Sequence, residues 1–91
     1  MQYKDEKTLQ LRKSLGEIVR ALRKERTKLS CTRLGTEYGI NSKNLNKIEN
    51  ALIDCKLITA WKISEALGMK FSEFAKIIED NLGEDFKLID E

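Results

Sequence analysis

The stretch that most constrains this chain is Cys31 to Asn50, CTRLGTEYGINSKNLNKIEN. Leu34 and Tyr38 in its first half stand four residues apart, and Leu45 and Ile48 in its second half three apart. That is the repeat of an apolar stripe on a helix. Gly39 falls where the first stripe stops, and a glycine takes up the left-handed backbone of a tight helix exit without steric cost. Asn41 and Ser42 follow, both residue types whose side-chain oxygen caps a helix start by accepting from an unpaired backbone N–H. Gly35 lies four residues before Gly39 and leaves room for the second helix to cross closely. The pattern predicts two short helices at a sharp angle about a glycine turn, a helix-turn-helix.

The rest of the chain extends this helical reading. It has no proline and is rich in Leu, Ile, Lys and Glu, which are good or tolerable helix formers. Its 91 residues, 41% apolar and 35% charged, suit one globular domain near the lower size limit for an adequate core. A first helix is expected over about Leu9 to Lys28, with Leu11, Leu15, Ile18, Val19 and Leu22 as its core stripe. Ser30 is the expected cap of helix two, which runs to about Tyr38, and helix three spans about Ser42 to Ala51. Helix four is read over Leu57 to Leu67, closed by Gly68, with Trp61 either in the core or half-exposed. Helix five starts after a cap at Ser72 and stops at Gly83. The division is then an arm (1–8), an all-α five-helix domain (9–83) and an acidic tail (84–91). The arm is either an unstructured terminus or a strip carrying Lys4 and Lys7 onto a polyanion.

Several function classes drop out at this stage. Histidine is absent, so no Ser-His or Cys-His pair exists, and no glycine-rich phosphate loop or carboxylate cluster replaces it. Cys31 and Cys55 belong to no CxxC pair, which argues for two reduced structural thiols and against a disulfide framework or a metal site. No apolar window approaches a membrane span, and no leader opens the chain, so a cytoplasmic protein without cofactor is expected. The net charge of +2 hides an asymmetry. Residues 1–28 carry nine Lys/Arg against four Asp/Glu, whereas residues 63–91 carry three against eight. A basic front and an acidic back fit a protein with one end facing a polyanion, although a charge run is more often a solvated face.

The segment 31–50 resembles the helix-turn-helix of phage repressors and Cro proteins, the Xre-type family. That family has a small residue at the position of Gly35, where alanine is commoner, glycine at that of Gly39, and apolar residues at those of Leu34, Tyr38, Leu45 and Ile48. LGEIVRALRKER is similar to its first helix, Ile48-Glu49-Asn50 to its closing IEN, and AWKISEALGMKFSEFAKII to its last two helices. The likeness covers roughly residues 15 to 82. The linker Thr27-Lys28-Leu29 is one residue longer than the family's usual glycine–leucine turn.

The resemblance implies roles for particular residues. Arg23 and Glu49 match an ion pair tying helix one to helix three. Helix three is the implied recognition helix, and setting Leu45 and Ile48 inward at 100° per residue turns Lys43, Asn46, Lys47 and Asn50 outward, with Ser42 flanking. Lys donates to guanine O6 and N7, and Asn pairs with adenine N6 and N7, so Ser42, Lys43, Asn46 and Lys47 are the expected base-reading set. The alternative is an ordinary polar solvent face. Cys31, Thr32, Arg33, Asn44, Asn50 and Lys56 take the phosphate positions, with cysteine a poor substitute for the family's glutamine and the helix-two N–H groups as its replacement. Phe71, Phe74, Ile77, Ile78 and Leu82 exceed what a short terminal helix needs for its own core and occupy the family's dimer contact.

The function implied is a sequence-specific regulator of double-stranded DNA, a repressor bound as a homodimer to a palindrome through the major groove. The alternative is an antitoxin-type module that binds a toxin protein, through the apolar positions Phe86, Leu88 and Ile89 of the tail, and represses its own operon.

Overall fold

A computed structural model of the chain describes residues 6–89. Among them are five α-helices and no strand: α1 (Glu6–Leu22), α2 (Cys31–Tyr38), α3 (Ser42–Glu49), α4 (Leu57–Ala66) and α5 (Phe71–Leu82). Each helix sends one apolar side chain into the centre with no exposure at all: Val19, Leu34, Leu45, Ile63 and Phe74. Fully burying an aliphatic or aromatic side chain stabilises a fold by ~1.5–3 kcal/mol, so these five residues hold the helices on one core. Ile18, Ile40, Ile48, Ala66, Leu67 and Met69 complete it.

The helix boundaries follow local chemistry. Ser30 accepts a hydrogen bond from the Arg33 N–H (3.1 Å), and Asn41 accepts one from the Asn44 N–H (3.0 Å), so each short helix has a side-chain cap. Gly39 closes α2 with φ +69°, and the Ile40 N–H reaches back to the Gly35 carbonyl at 2.9 Å. Gly68 does the same for α4, where the Met69 N–H bonds the Ser64 carbonyl. Two cations finish helix ends from a distance: Lys62 Nζ donates to the Gly39 carbonyl and Arg26 to the Leu67 carbonyl.

Several boundaries differ from the sequence reading. α1 begins at Glu6, so residues 6–8 are helix and not arm; residues 1–5, with Lys4, lie outside the described residues. α3 stops at Glu49, because Ala51 takes the left-handed conformation at φ +61° and the Leu52 N–H turns back to the Lys47 carbonyl. Helix five starts two residues earlier than expected, at Phe71. Glu73, and not Ser72, caps it, accepting the Lys70 N–H at 2.8 Å. Tyr38, assigned to the inward stripe, is 46% exposed, since Ile40 just past the turn fills the space beneath α2.

The expected long first helix ends at Leu22 and passes into a single π turn, Arg23–Thr27. The Lys28 N–H bonds the Arg23 carbonyl five residues back, at 3.0 Å, and Lys28 leaves with φ +59°. A π turn takes up one more residue than an α turn over the same length of axis, so this segment holds a residue that an α-helix of that length would not. Thr27 Oγ1 donates to that same carbonyl (2.7 Å) and accepts from the Leu29 N–H (3.0 Å).

Two glycines set how closely α3 is approached. A Cβ on Gly16 of α1 would lie 2.5 Å from the Glu49 carbonyl oxygen and 2.7 Å from that of Ile48. One on Gly35 of α2 would meet the Ile40 carbonyl oxygen at still shorter range and Ser42 Cβ at 3.1 Å. α3 is therefore packed against bare backbone from two sides.

Candidate nucleic-acid interface

The outward face of α3 follows from its buried one. Leu45 and Ile48 are buried at 0% and 2%, and Lys43, Asn44, Asn46, Lys47 and Asn50 are exposed, with Ser42 intermediate. Four of these, Ser42, Lys43, Asn46 and Lys47, line one open groove with Cys31 and Thr32 from the start of α2. No acidic side chain lines that groove. All four base-reading candidates are thus brought together, with two of the six phosphate candidates beside them. Arg33, Asn44, Asn50 and Lys56 are exposed but lie outside its lining. Arg33 is paired with Glu37 one turn on, at 3.2 Å.

The backbone of α3 is held to α1 by charge. Arg23 makes a two-pronged contact with Glu49, Nε to Oε2 at 2.7 Å and Nη2 to Oε1 at 2.9 Å, and its Nη1 donates to the Leu29 carbonyl at 2.8 Å. The Glu49 side chain is 1% exposed and that of Arg23 11%. Burial pushes the Glu49 carboxyl up, but the hydrogen bond and charge of Arg23, helped by Cys31 and Arg20, more than offset it and hold the group below its ordinary value of 4.5. The hydrogen bond from Glu49 in turn raises the Arg23 guanidinium against the opposing effect of burial. Both stay charged through the physiological range.

Arg20, exposed on α1 and outside the core stripe, reaches the same carboxylate. Its Nε donates to Glu49 Oε1 (3.4 Å) and its Nη2 to Asn50 Oδ1 (2.9 Å). Asn50 Nδ2 then donates to the Asn46 carbonyl (2.8 Å) and to Asn46 Oδ1 (3.3 Å). A continuous chain of bonds runs from the buried ion pair to a groove-lining amide. The i, i+4 spacing of Asn46 and Asn50 was the signal in the sequence for its last link.

Cys31, a phosphate candidate, lines the groove from the start of α2. Its side chain packs against the core, and burial raises the thiol, followed by the neighbouring Glu49 carboxylate. It is a neutral thiol turned toward the ion pair. Thr32 beside it is exposed and also lines the groove. Cys55 is likewise inert, with burial raising it to about 11.

The apolar positions of α5 are mostly used within the domain. Phe74 is fully buried, which removes it from any docking surface, and Phe71, Ile77 and Ile78 pack partly buried against the core. Leu82 is half-buried in the last turn. The physical reason is that α5 lies along α1 as well as α4, fixed there by the 2.6 Å bond from Ser14 Oγ to Asn81 Oδ1. No group of metal-ligating side chains occurs among the described residues, and no described helix is long and apolar enough to cross a membrane. No family model, no curated protein and no solved structure matches the chain.

Proposed function

We propose that the protein is a sequence-specific double-stranded DNA-binding regulator, a repressor that binds a palindromic operator as a homodimer. The observation that carries this reading is the acid-free groove in which Ser42, Lys43, Asn46 and Lys47 converge beside the N-terminus of α2. α3 would enter the major groove as the second helix of a helix-turn-helix, reading base edges while Thr32 and the α2 N–H groups hold a phosphate. The resemblance of residues 15 to 82 to the phage-repressor family supports the same assignment. Blocking of a promoter would then need only occupancy, with no chemistry at the site.

The test is selection from a random duplex DNA pool at ~0.15 M salt, where non-specific electrostatic binding fades. An enriched palindrome with half-sites about one helical turn (~34 Å) apart is the expected result. Folded protein that enriches no sequence would refute the reading. The antitoxin alternative keeps one observation in its favour: Leu88 and Ile89 of the tail are 45% and 76% exposed. Co-purification of a toxin that is lost on removing the tail would favour it.

A further inference from the structure

The bonds that end on Asn46 fix which way its side chain faces. An amide has one accepting end and one donating end, and exchanging the two changes what it can recognise. Arg20 Nη2 can only donate, so the Asn50 atom that it meets at 2.9 Å is Oδ1. Asn50 Nδ2 then lies 2.8 Å from the Asn46 carbonyl, an atom that can only accept. The orientation of Asn50 is thus set from both ends. The same Nδ2 stands 3.3 Å from the Asn46 side chain, which has to meet it with Oδ1. Asn46 Nδ2, on the other side of the amide carbon, turns away from Asn50 and has no hydrogen-bond partner among the described residues.

The far end of this chain of bonds is firmly held. Arg20 Nε sits on Oε1 of Glu49 at 3.4 Å, and that carboxylate is 1% exposed and gripped in turn by Arg23. One planar guanidinium fork serves both Glu49 and Asn50, a geometry that the point charge of a lysine does not reproduce. Asn46 itself is exposed and lines the acid-free groove.

We infer that Arg20 and Asn50 are positioning residues that hold Asn46 with its donating end free, so that Asn46 reads the acceptors of a guanine and not the edge of an adenine. The inference rests on the DNA-reading role proposed above for α3. Two-pronged pairing with adenine needs Oδ1 to accept from N6 while Nδ2 donates to N7. Here Oδ1 is engaged by Asn50. Nδ2 keeps both of its hydrogens, and guanine N7 and O6 both accept. Asn50, a phosphate candidate, spends its Oδ1 and Nδ2 inside the protein.

The experiment has two arms, both on the full chain. Without DNA, NMR follows exchange of the side-chain amide protons with water. Those of Asn50 should exchange more slowly than those of Asn44, which is exposed on the same helix and outside the chain of bonds. Arg20→Lys should abolish the difference. With DNA, selection from the duplex pool is run on wild type, Asn46→Ala, Asn50→Ala and Arg20→Lys. The position whose preference is lost in Asn46→Ala should be guanine in the wild-type site, favoured about tenfold over adenine. Asn50→Ala and Arg20→Lys should lose preference at that same position, with Arg20→Lys binding random duplex as tightly as wild type because the charge is kept.

Asn50 protons that exchange as fast as those of Asn44 would overturn the inference. So would an adenine at that position in the wild-type site, or an Asn50→Ala variant weakened on every duplex alike, which would make Asn50 a phosphate ligand. A pool from which wild type enriches nothing would refute the operator reading and the base preference with it, while the exchange arm decides separately whether Arg20 and Asn50 hold the amide.

Discussion

Replacing Gly16 with alanine reverses the usual effect of that change in a helix. At an exposed helical site the substitution stabilises by ~1 kcal/mol, since glycine is the poorer helix former. At Gly16 the new Cβ would stand 2.5 Å from the Glu49 carbonyl oxygen, ~0.9 Å inside the 3.4 Å at which ordinary contact begins. The obstructing atoms belong to backbone, so no rotamer change relieves the overlap, and α1 and the end of α3 must part. Overpacking a tight contact costs ~1–3 kcal/mol. The movement also strains the Arg23–Glu49 bonds at 2.7 and 2.9 Å, because Glu49 is the residue displaced. Together these costs exceed the ~1 kcal/mol propensity gain and leave a net loss of up to ~2 kcal/mol.

The assay is thermal and urea unfolding followed by circular dichroism. For a domain of this length each kcal/mol lowers Tm by about 4–8 °C. A Gly16→Ala variant as stable as the parent, or more stable, would refute the backbone-contact argument. Gly35→Ala is the companion test, and the same physics predicts a loss there, even though alanine is the commoner residue at that position in the phage-repressor family.

The other predictions concern the site and its supports. Lys43→Ala and Asn46→Ala should each cost ~1–3 kcal/mol in binding to the selected operator and relax preference at one base position, as read by competition binding; unchanged site preference in both would remove α3 as the reading helix. Glu49→Ala leaves Arg23 buried without its partner and should cost ~3–5 kcal/mol at neutral pH. Because the Glu49 carboxyl is held below 4.5 in the fold, its contribution is complete above that pH and disappears as pH falls through the lowered value, so the gap between wild type and variant should close in acid urea titrations. A gap that stayed constant to pH 2 would contradict this. Ala51→Gly should stabilise by ~1 kcal/mol, since the position holds a left-handed backbone, and no change in the urea midpoint would show that the strain is absent.

Much of the helical layout was legible because its signals are local. Ser30, Asn41 and Gly39 act on backbone within three or four residues, and so their roles show in the sequence itself. The Arg23–Glu49 pair was found through a resemblance, not through spacing, since 26 residues separate the two. What stayed hidden depends on which surfaces meet. Periodicity gives α4 and α5 apolar faces but does not say which face has a neighbour; here α5 spends its surplus on α1, and α4 keeps Leu57, Ile58 and Trp61 outside. Gly16 looked like any small residue, because its value lies in a carbonyl more than thirty positions away. Arg20 was missed for a similar reason. Its partners on α3 become visible only once the two helices are side by side.

The π turn at Arg23–Thr27 also bears on how the chain could tolerate a change of length. The additional residue is absorbed within one turn, and Arg23 anchors both sides of it, through its carbonyl to Lys28 and Thr27 and through its guanidinium to Leu29 and Glu49. Apart from the bonds of Arg23, the turn reaches the rest of the fold through Arg26, which donates to the Leu67 carbonyl. Deleting Lys24 or Glu25, both exposed, should convert it to ordinary α-helix and leave the α2–α3 pair in place. The turn is thus a spacer in which the count of residues can change by one without moving the glycine-backed contacts of α3.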